Sequence, residues 1–245
     1  MFTAKDFLEY QKERVAHPRF KPPDGVIFCY SRNFLDQISR RHKVTKAPGL
    51  FRELLLLDET GGRVAVLGNF GIGAPVVVTF LEELIAFGVR RFVSVGTAGT
   101  LRKDLGIGDI VICDRAIRDE GTSFHYLKPS KYAYASKPMI ESIKKSLEVH
   151  RKKYVVGTSW TIDAPYRETV AEARKYQKEG VATVEMEASA LFAVAKYRNV
   201  EMVALFAISD SLAELEWNPK FHHKRIDSSL GVIFQAALDV LNSYP

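Results

Sequence analysis

The stretch RVAVLGNFGIGAPVVVTFLEELIAFGVRRFVSV, Arg63 to Val95, decides the fold class. It opens on an apolar, β-branched run, Arg63 to Leu67, and closes on another, Arg91 to Val95. Between them Pro75 to Phe87 reads as a helix. Proline stands at its start and Gly88 just past its end, the order in which helix start and stop signals fall. Strand, helix and strand within about 30 residues form a βαβ unit, which predicts parallel strands and a right-handed crossover.

The same alternation extends outward. Val26 to Tyr30 reads as a strand before this unit, and Asp109 to Cys113, Tyr154 to Thr158 and Met202 to Ile208 as strands after it. Helical patterns cover Ala4 to Ala16, Lys137 to His150, Glu168 to Lys178, Glu187 to Tyr197 and Ser228 to Leu241. Pro18, Pro22 and Pro23 stop the first of them. The expectation is an α/β chain: an N-terminal helical extension over 1–24 and a single three-layer αβα domain over 25–245. No internal repeat, low-complexity tract or linker divides it.

The bulk numbers narrow the function classes. A chain of 245 residues, 47% hydrophobic and 26% charged, is ample for one large core. The formal charge of +6 suits an anionic substrate such as phosphate, and equally a solvated basic surface. The basic runs, Arg40 to Lys43 and Arg151 to Lys153, are short and carry no interleaved aromatics, so nucleic acid is not an expected partner. The two cysteines, Cys29 and Cys113, lie in apolar runs and offer neither a metal spacing nor a disulfide framework. A reduced, cytoplasmic setting is expected. No run of about 18 apolar residues exists, so no membrane partner is expected, and Met1 to Arg14 does not read as a signal peptide.

In parallel sheets, ligands bind beyond the carboxyl ends of the strands. Four segments stand there. Gly68 to Gly73, including Gly71, is either an anion cradle of free amides or a plain tight turn. Ser94 to Leu101 makes a small, polar floor in which Thr97 can donate to an anion. At Val184-Glu185-Met186-Glu187, two carboxylates cap a helix start or bind something, and ribose hydroxyls would suit them. At Ser209-Asp210-Ser211, Asp210 is a helix N-cap or, if burial raises its pKa, a general acid. His125, among aromatics in Thr122 to Tyr126, is a further polar candidate or a structural histidine.

In this order the segments resemble the nucleoside phosphorylase family, which includes uridine phosphorylases, hexameric purine nucleoside phosphorylases and adenosylhomocysteine-type nucleosidases. The pieces that carry the resemblance are Gly71-Ile72-Gly73 with its helix, Gly96-Thr97-Ala98-Gly99, Val184 to Glu187, and Ser209-Asp210. It runs from about Val26 to the C-terminus. It implies a twisted mixed sheet, partly closed into a barrel and surrounded by helices. It also implies a homo-oligomer, from dimer to hexamer, with sites shared between subunits.

The resemblance assigns roles as well. Thr97, Gly71, Arg32 and Arg52 would face phosphate. Met186, Glu187, Glu185 and His125 would face the ribose. Gly99 would line the base, with Tyr166 stacking on it and Arg167 at its edge, from the loop Thr161 to Arg167. Asp210 would protonate a leaving purine, which favours purine over uridine, and the uracil-reading glutamine has no counterpart. Inorganic phosphate is implied as co-substrate, with no other cofactor and no metal.

Two departures stand out. The family's Gly-Asp-Pro-x-Arg segment is replaced by Cys29-Tyr30-Ser31-Arg32-Asn33, and its arginine before the Gly-Thr turn by Ser94. Three readings therefore compete: phosphorolysis of a nucleoside, hydrolysis by a nucleosidase, and a non-catalytic relative that binds or stores nucleosides. Phosphate dependence of base release separates the first two, and release of no base at all marks the third.

Overall fold

The computed structural model describes residues 2–12, 20–47 and 53–243. The end of the expected first helix, Pro18 and Arg52 lie outside the described residues. In chain order the elements are α1 (Ala4–Lys12), β1 (Gly25–Cys29), α2 (Arg32–Arg41), β2 (Val44–Lys46), β3 (Leu54–Leu57), β4 (Val64–Gly68), α3 (Ala74–Phe87), β5 (Arg91–Thr100) and β6 (Ile110–Asp119). There follow β7 (Tyr132–Tyr134), α4 (Lys137–Val149), β8 (Val155–Ile162), α5 (Val170–Lys178), β9 (Thr183–Glu185), α6 (Ala188–Arg198), β10 (Glu201–Ser211), β11 (Asn218–Pro219) and α7 (Lys224–Ser243).

The fold is mixed α/β, as expected, and its sheet closes on itself. β10 pairs with β6, β6 with β8, β8 with β9, β9 with β5, and β5 returns to β10. This five-strand ring mixes parallel and antiparallel pairs. From β5 an open wing continues through β1, β4, β3 and β2. The βαβ unit holds, but β4 and β5 are not neighbours. β1 lies between them, parallel to both.

Four strands run further than their apolar runs predict. β5 continues to Thr100, β6 to Asp119, β8 to Ile162 and β10 to Ser211. Polar and small residues stay in these strands because ring neighbours complete their backbone hydrogen bonds. Thr97 and Asp210 are therefore strand residues, and Asp210 is not a helix N-cap. The helix α2 has no strong signal in the sequence. Ser31 caps it, its Oγ accepting from the Phe34 amide at 3.2 Å, and Phe34, Leu35 and Ile38 fill the core beneath.

β5 is the strand that sets the site. One of its edges pairs with β10 along its whole length. The other pairs with β1 as far as Val95 and with β9 from Gly99. Between those points the sheet forks, and Gly96, Thr97 and Ala98 have no strand neighbour on that edge among the described residues. A fork where neighbouring strands diverge is where α/β sheets open a ligand crevice. The interior is packed elsewhere. α6 is buried without a break from Ala188 to Ala195, wedged between the ring and α3. A second, smaller core gathers Trp160, Ile162, Val184 and Tyr176 under α5. Among the described residues no helix is long and apolar enough to cross a membrane, and no cluster of His, Cys, Asp or Glu could hold a metal ion. Both thiols are free and buried, and burial pushes that of Cys29 up to about 12.

Candidate active site at the sheet fork

The fork is lined on one bank by the end of β1 and on the other by the junction of β9 and α6. Thr97 lies on its floor. It is the one exposed residue of β5, in a strand otherwise buried or half-buried, so its side chain is open to solvent.

On the β9 bank, Glu185 is buried and fully engaged. Its Oε1 accepts from Ser159 Oγ at 3.0 Å and Thr161 Oγ1 at 2.6 Å, and its Oε2 from the amides of Glu187 at 2.8 Å and Ala188 at 2.7 Å. The two amides are orphan donors at the start of α6, so Glu185 anchors that helix to β8 and β9. Its four acceptor positions are taken by its own chain, which leaves little capacity for ribose.

Glu187 is in the opposite state. Its Oε1 accepts from the Gly73 amide at 2.5 Å. Gly73 holds φ at +102°, a conformation that glycine adopts and side-chain-bearing residues rarely do. The glycine turn after β4 thus aims its amide at a carboxylate of this chain. Burial, then the charge of Glu185, pushes the Glu187 carboxyl up to about 8. Met186, half-buried, lies between the two glutamates.

On the β1 bank stands a residue that the sequence does not single out. Tyr30 is hydrogen-bonded through its hydroxyl to Ser94 Oγ at 3.0 Å. Its ring lies against Gly96, where a Cβ would meet Tyr30 Cδ2 at 3.1 Å. Burial, with Glu187 next, holds its phenol well above its usual range, so it is neutral. Arg32 begins α2 with an exposed side chain.

Deeper along β5, Gly99 pairs with Asp210 of β10. A Cβ at Gly99 would sit 2.9 Å from Asp210 Oδ2, so only glycine lets the carboxylate approach this strand. A register shift between Ile208 and Asp210 re-aims the end of β10. Asp210 is buried. Its Oδ1 accepts from Ser209 Oγ at 2.7 Å and its Oδ2 from Trp217 Nε1 at 3.0 Å. The sequence singles out neither Trp217 nor the half-buried Glu168. There Glu168 reads only as the first residue of a helix.

The loop after β8 carries Tyr166 and Arg167, both exposed, in a short 3-10 turn. His125 is exposed on another such turn, Thr122–His125. That turn is tied to α6 through Glu120, which accepts from Ser189 Oγ at 2.8 Å and from the Ser123 amide at 2.9 Å. The structure therefore places Thr97, Gly99 and Asp210 along paired strands at the fork, with Met186 and Glu187 at the adjoining β9–α6 junction. Tyr166, Arg167 and His125 stand exposed on loops.

Such a crevice suits a ligand with a cation-forming centre. It has one carboxyl poised near neutral pH on one side and a second, buried carboxylate further in. The model of the phosphorylase superfamily matches residues 33–240 of this chain. Among curated proteins, a DeoD-type purine nucleoside phosphorylase of Bacillus cereus is 31% identical over 212 residues, covering 84% of this chain and 86% of its own. That of Alkaliphilus metalliredigens is 29% identical over 207 residues, covering 82% and 85%. Among solved structures, uridine phosphorylase from Vibrio fischeri superposes with a TM-score of 0.76 at 24% identity, covering 91% of this chain and 92% of its own. Purine nucleoside phosphorylase from Toxoplasma gondii, in complex with immucillin-H, superposes with a TM-score of 0.76 at 16% identity and 90% coverage of each.

Proposed function

The chain belongs to the phosphorylase superfamily, and from that premise we propose that it splits the N-glycosidic bond of a nucleoside with inorganic phosphate, a purine nucleoside before uridine. The observation that carries this reading is that β5, which carries Thr97 and Gly99, pairs on one edge with β10 at Asp210 and on the other with β9, the strand that leads into Glu187.

Breaking that bond develops positive charge on the sugar, and an enzyme must hold that state more tightly than the substrate. Glu187 accepts hydrogen bonds from the ribose hydroxyls, with Met186 packed against the ring. As charge develops, an ionised Glu187 attracts it. Thr97 donates to the attacking phosphate. Asp210 gives a proton to the departing base. Ser209 and Trp217 fix the carboxyl group's orientation, so the geometry is set before the substrate arrives. Tyr166 and Arg167 meet the base from the loop after β8. The curated relatives named above are purine nucleoside phosphorylases, which supports the purine preference.

A second reading, hydrolysis, is favoured by one observation. The Tyr30–Ser94 pair at the β1 bank is neutral, and a charged phosphate gains much of its binding from charge-assisted hydrogen bonds. In the phosphorolytic reading, a neighbouring subunit of a homo-oligomer completes this bank. One experiment separates the readings: base release from a panel of purine and pyrimidine nucleosides, with and without phosphate. Release that requires phosphate supports phosphorolysis. Full-rate release in phosphate-free buffer supports hydrolysis, and no release from any nucleoside overturns both.

A further inference from the structure

Away from the fork, three segments converge on a cavity of about 640 Å³. They are the second half of α2, the link from α4 to β8, and the first half of α7. On α7 the lining residues are Lys224, Asp227, Ser228, Gly231, Val232 and Gln235. They recur every three or four residues and so share one face of the helix, opposite the face that buries Ile226, Leu230, Ile233 and Phe234. On α2, Gln37 and Arg41 share a face by the same rule. The two helices approach at Gly231, where a Cβ would stand 3.7 Å from Arg41 Nη1. No lining residue belongs to the fork. Arg41 ends α2, which Arg32 begins, so the two stand roughly 13 Å apart along the helix axis.

Each segment brings one cation to the cavity: Arg41, Lys152 and Lys224. All three are exposed, and their side chains make no hydrogen bond or ion pair with any described residue. Other cations of this protein do find partners, as Arg198 does with Glu82 and Lys131 with Glu179. His150 also lines the cavity but is committed, since its Nε2 pairs with Asp239 Oδ2 at 2.8 Å. Gln235 Nε2 donates to the other oxygen of Asp239 at 2.8 Å. Asp227 is the one carboxylate among the lining residues, and it stands in the first turn of α7, where an acid favours the helix start. Three cations therefore face one carboxylate. Gathered like charges repel, and an anion placed among them turns that repulsion into attraction.

We propose that this cavity binds the phosphate chain of a small molecule, either a free polyphosphate or the triphosphate of a nucleotide. A cavity of this size takes a small molecule rather than a lone ion. Arg41 offers a planar fork that meets phosphate oxygens in pairs, and the two lysines offer point charges. The Ser228 hydroxyl and the Gln37 amide add neutral donors. The proposal is independent of the cleavage reading.

The test is calorimetric titration of the whole chain with tripolyphosphate, orthophosphate, citrate and a nucleoside triphosphate. Tripolyphosphate should bind saturably, at least about tenfold more tightly than orthophosphate or citrate. Replacing Arg41, Lys152 and Lys224 together by alanine should weaken it at least about tenfold, and Asp227→Asn should tighten it. A control that replaces Lys5, Lys178 and Lys196 by alanine removes the same charge from other helices and should change binding by less than about twofold. All of these side chains are exposed, and the melting temperature of each variant verifies its fold. A nucleoside triphosphate that binds at least about tenfold more tightly than tripolyphosphate, and loses as much in the cavity variant, identifies the nucleotide as the source of the chain. Tripolyphosphate binding that survives in the cavity variant lies elsewhere, at the fork or on the general surface, and would overturn the proposal. So would an equal loss in the control, citrate binding as tightly as tripolyphosphate, or no saturable binding at all.

Discussion

The two banks of the fork are built on opposite plans. On the β1 side, Tyr30 and Ser94 satisfy each other, and neither carries charge. On the β9 side, two glutamates flank Met186. One is saturated with four donors from its own chain, and the other is held near neutral pH by burial and by its neighbour's charge. The contrast repeats within the β9 side itself, where Glu185 serves the helix and Glu187 meets the glycine turn after β4. Residue type alone does not distinguish them; the number of donors already committed does. Both carboxyl groups stand on the β9 side, and the β1 side offers neutral hydroxyls.

The largest expected effect breaks the β9 bank. Glu185→Ala strands the donors of Ser159 and Thr161 and two amides of α6, and should lower unfolding free energy by about 3–5 kcal/mol in a denaturant titration. A cost under about 1 kcal/mol would mean that Glu185 does not anchor the helix.

Glu187→Gln tests its partner. Turnover of the preferred nucleoside should drop at least about a hundredfold, roughly 2.7 kcal/mol of transition-state binding. The same substitution should raise the melting temperature of the protein alone at pH 8. Loss of activity with loss of stability would make Glu187 structural and erase the contrast with Glu185.

Asp210→Asn comes next, with at least about a tenfold loss on purine nucleosides and an intact fold. Unchanged turnover would remove Asp210 from the chemistry. The pH dependence of stability is smaller. Glu187 and Glu168 bind their protons more tightly when folded, with values of about 8 and about 7 against 4.5 for an unperturbed glutamate. The folded state therefore holds more protons between about 4.5 and 8, and stability contributed by these groups falls as pH rises across that window. Chemical denaturation at pH 5.5 and 8 should show the fall, and Glu187→Gln should flatten it. Smallest is the effect at the β1 bank. Tyr30→Phe should cost about 1 kcal/mol of stability and change turnover by less than about threefold. A loss above about tenfold would bring this bank into the reaction and even out the two sides.

Much of the fold was legible because it is written locally. The helix Pro75 to Phe87 announces both its ends, and the strands at 26–30, 63–67 and 91–95 are short apolar runs. Ring closure followed from the resemblance, not from pattern. Ser209 and Ala98, for example, meet across 111 residues, and no local period encodes that pairing. The strand ends at Thr97 to Thr100 and Ser209 to Ser211 look like loops, because their residues are small and polar. In the site, Glu187 and Asp210 stood out as carboxylates at strand ends. Glu168 was hidden by its position beside Thr169, where an acidic residue reads as part of a helix start. Tyr30 was hidden because an aromatic at the end of an apolar run reads as core.

The chain reaches β10 only after every other strand of the ring has been made, and β10 is the strand that zips along the whole length of β5. Contacts so distant in sequence form slowly, since a long loop must close before they reward the chain. A nascent chain that has emerged only through α6 carries Glu187 but neither Asp210 nor a closed ring. Catalytic competence should therefore be the last property acquired during synthesis, arriving in a single late event well after most helices have formed.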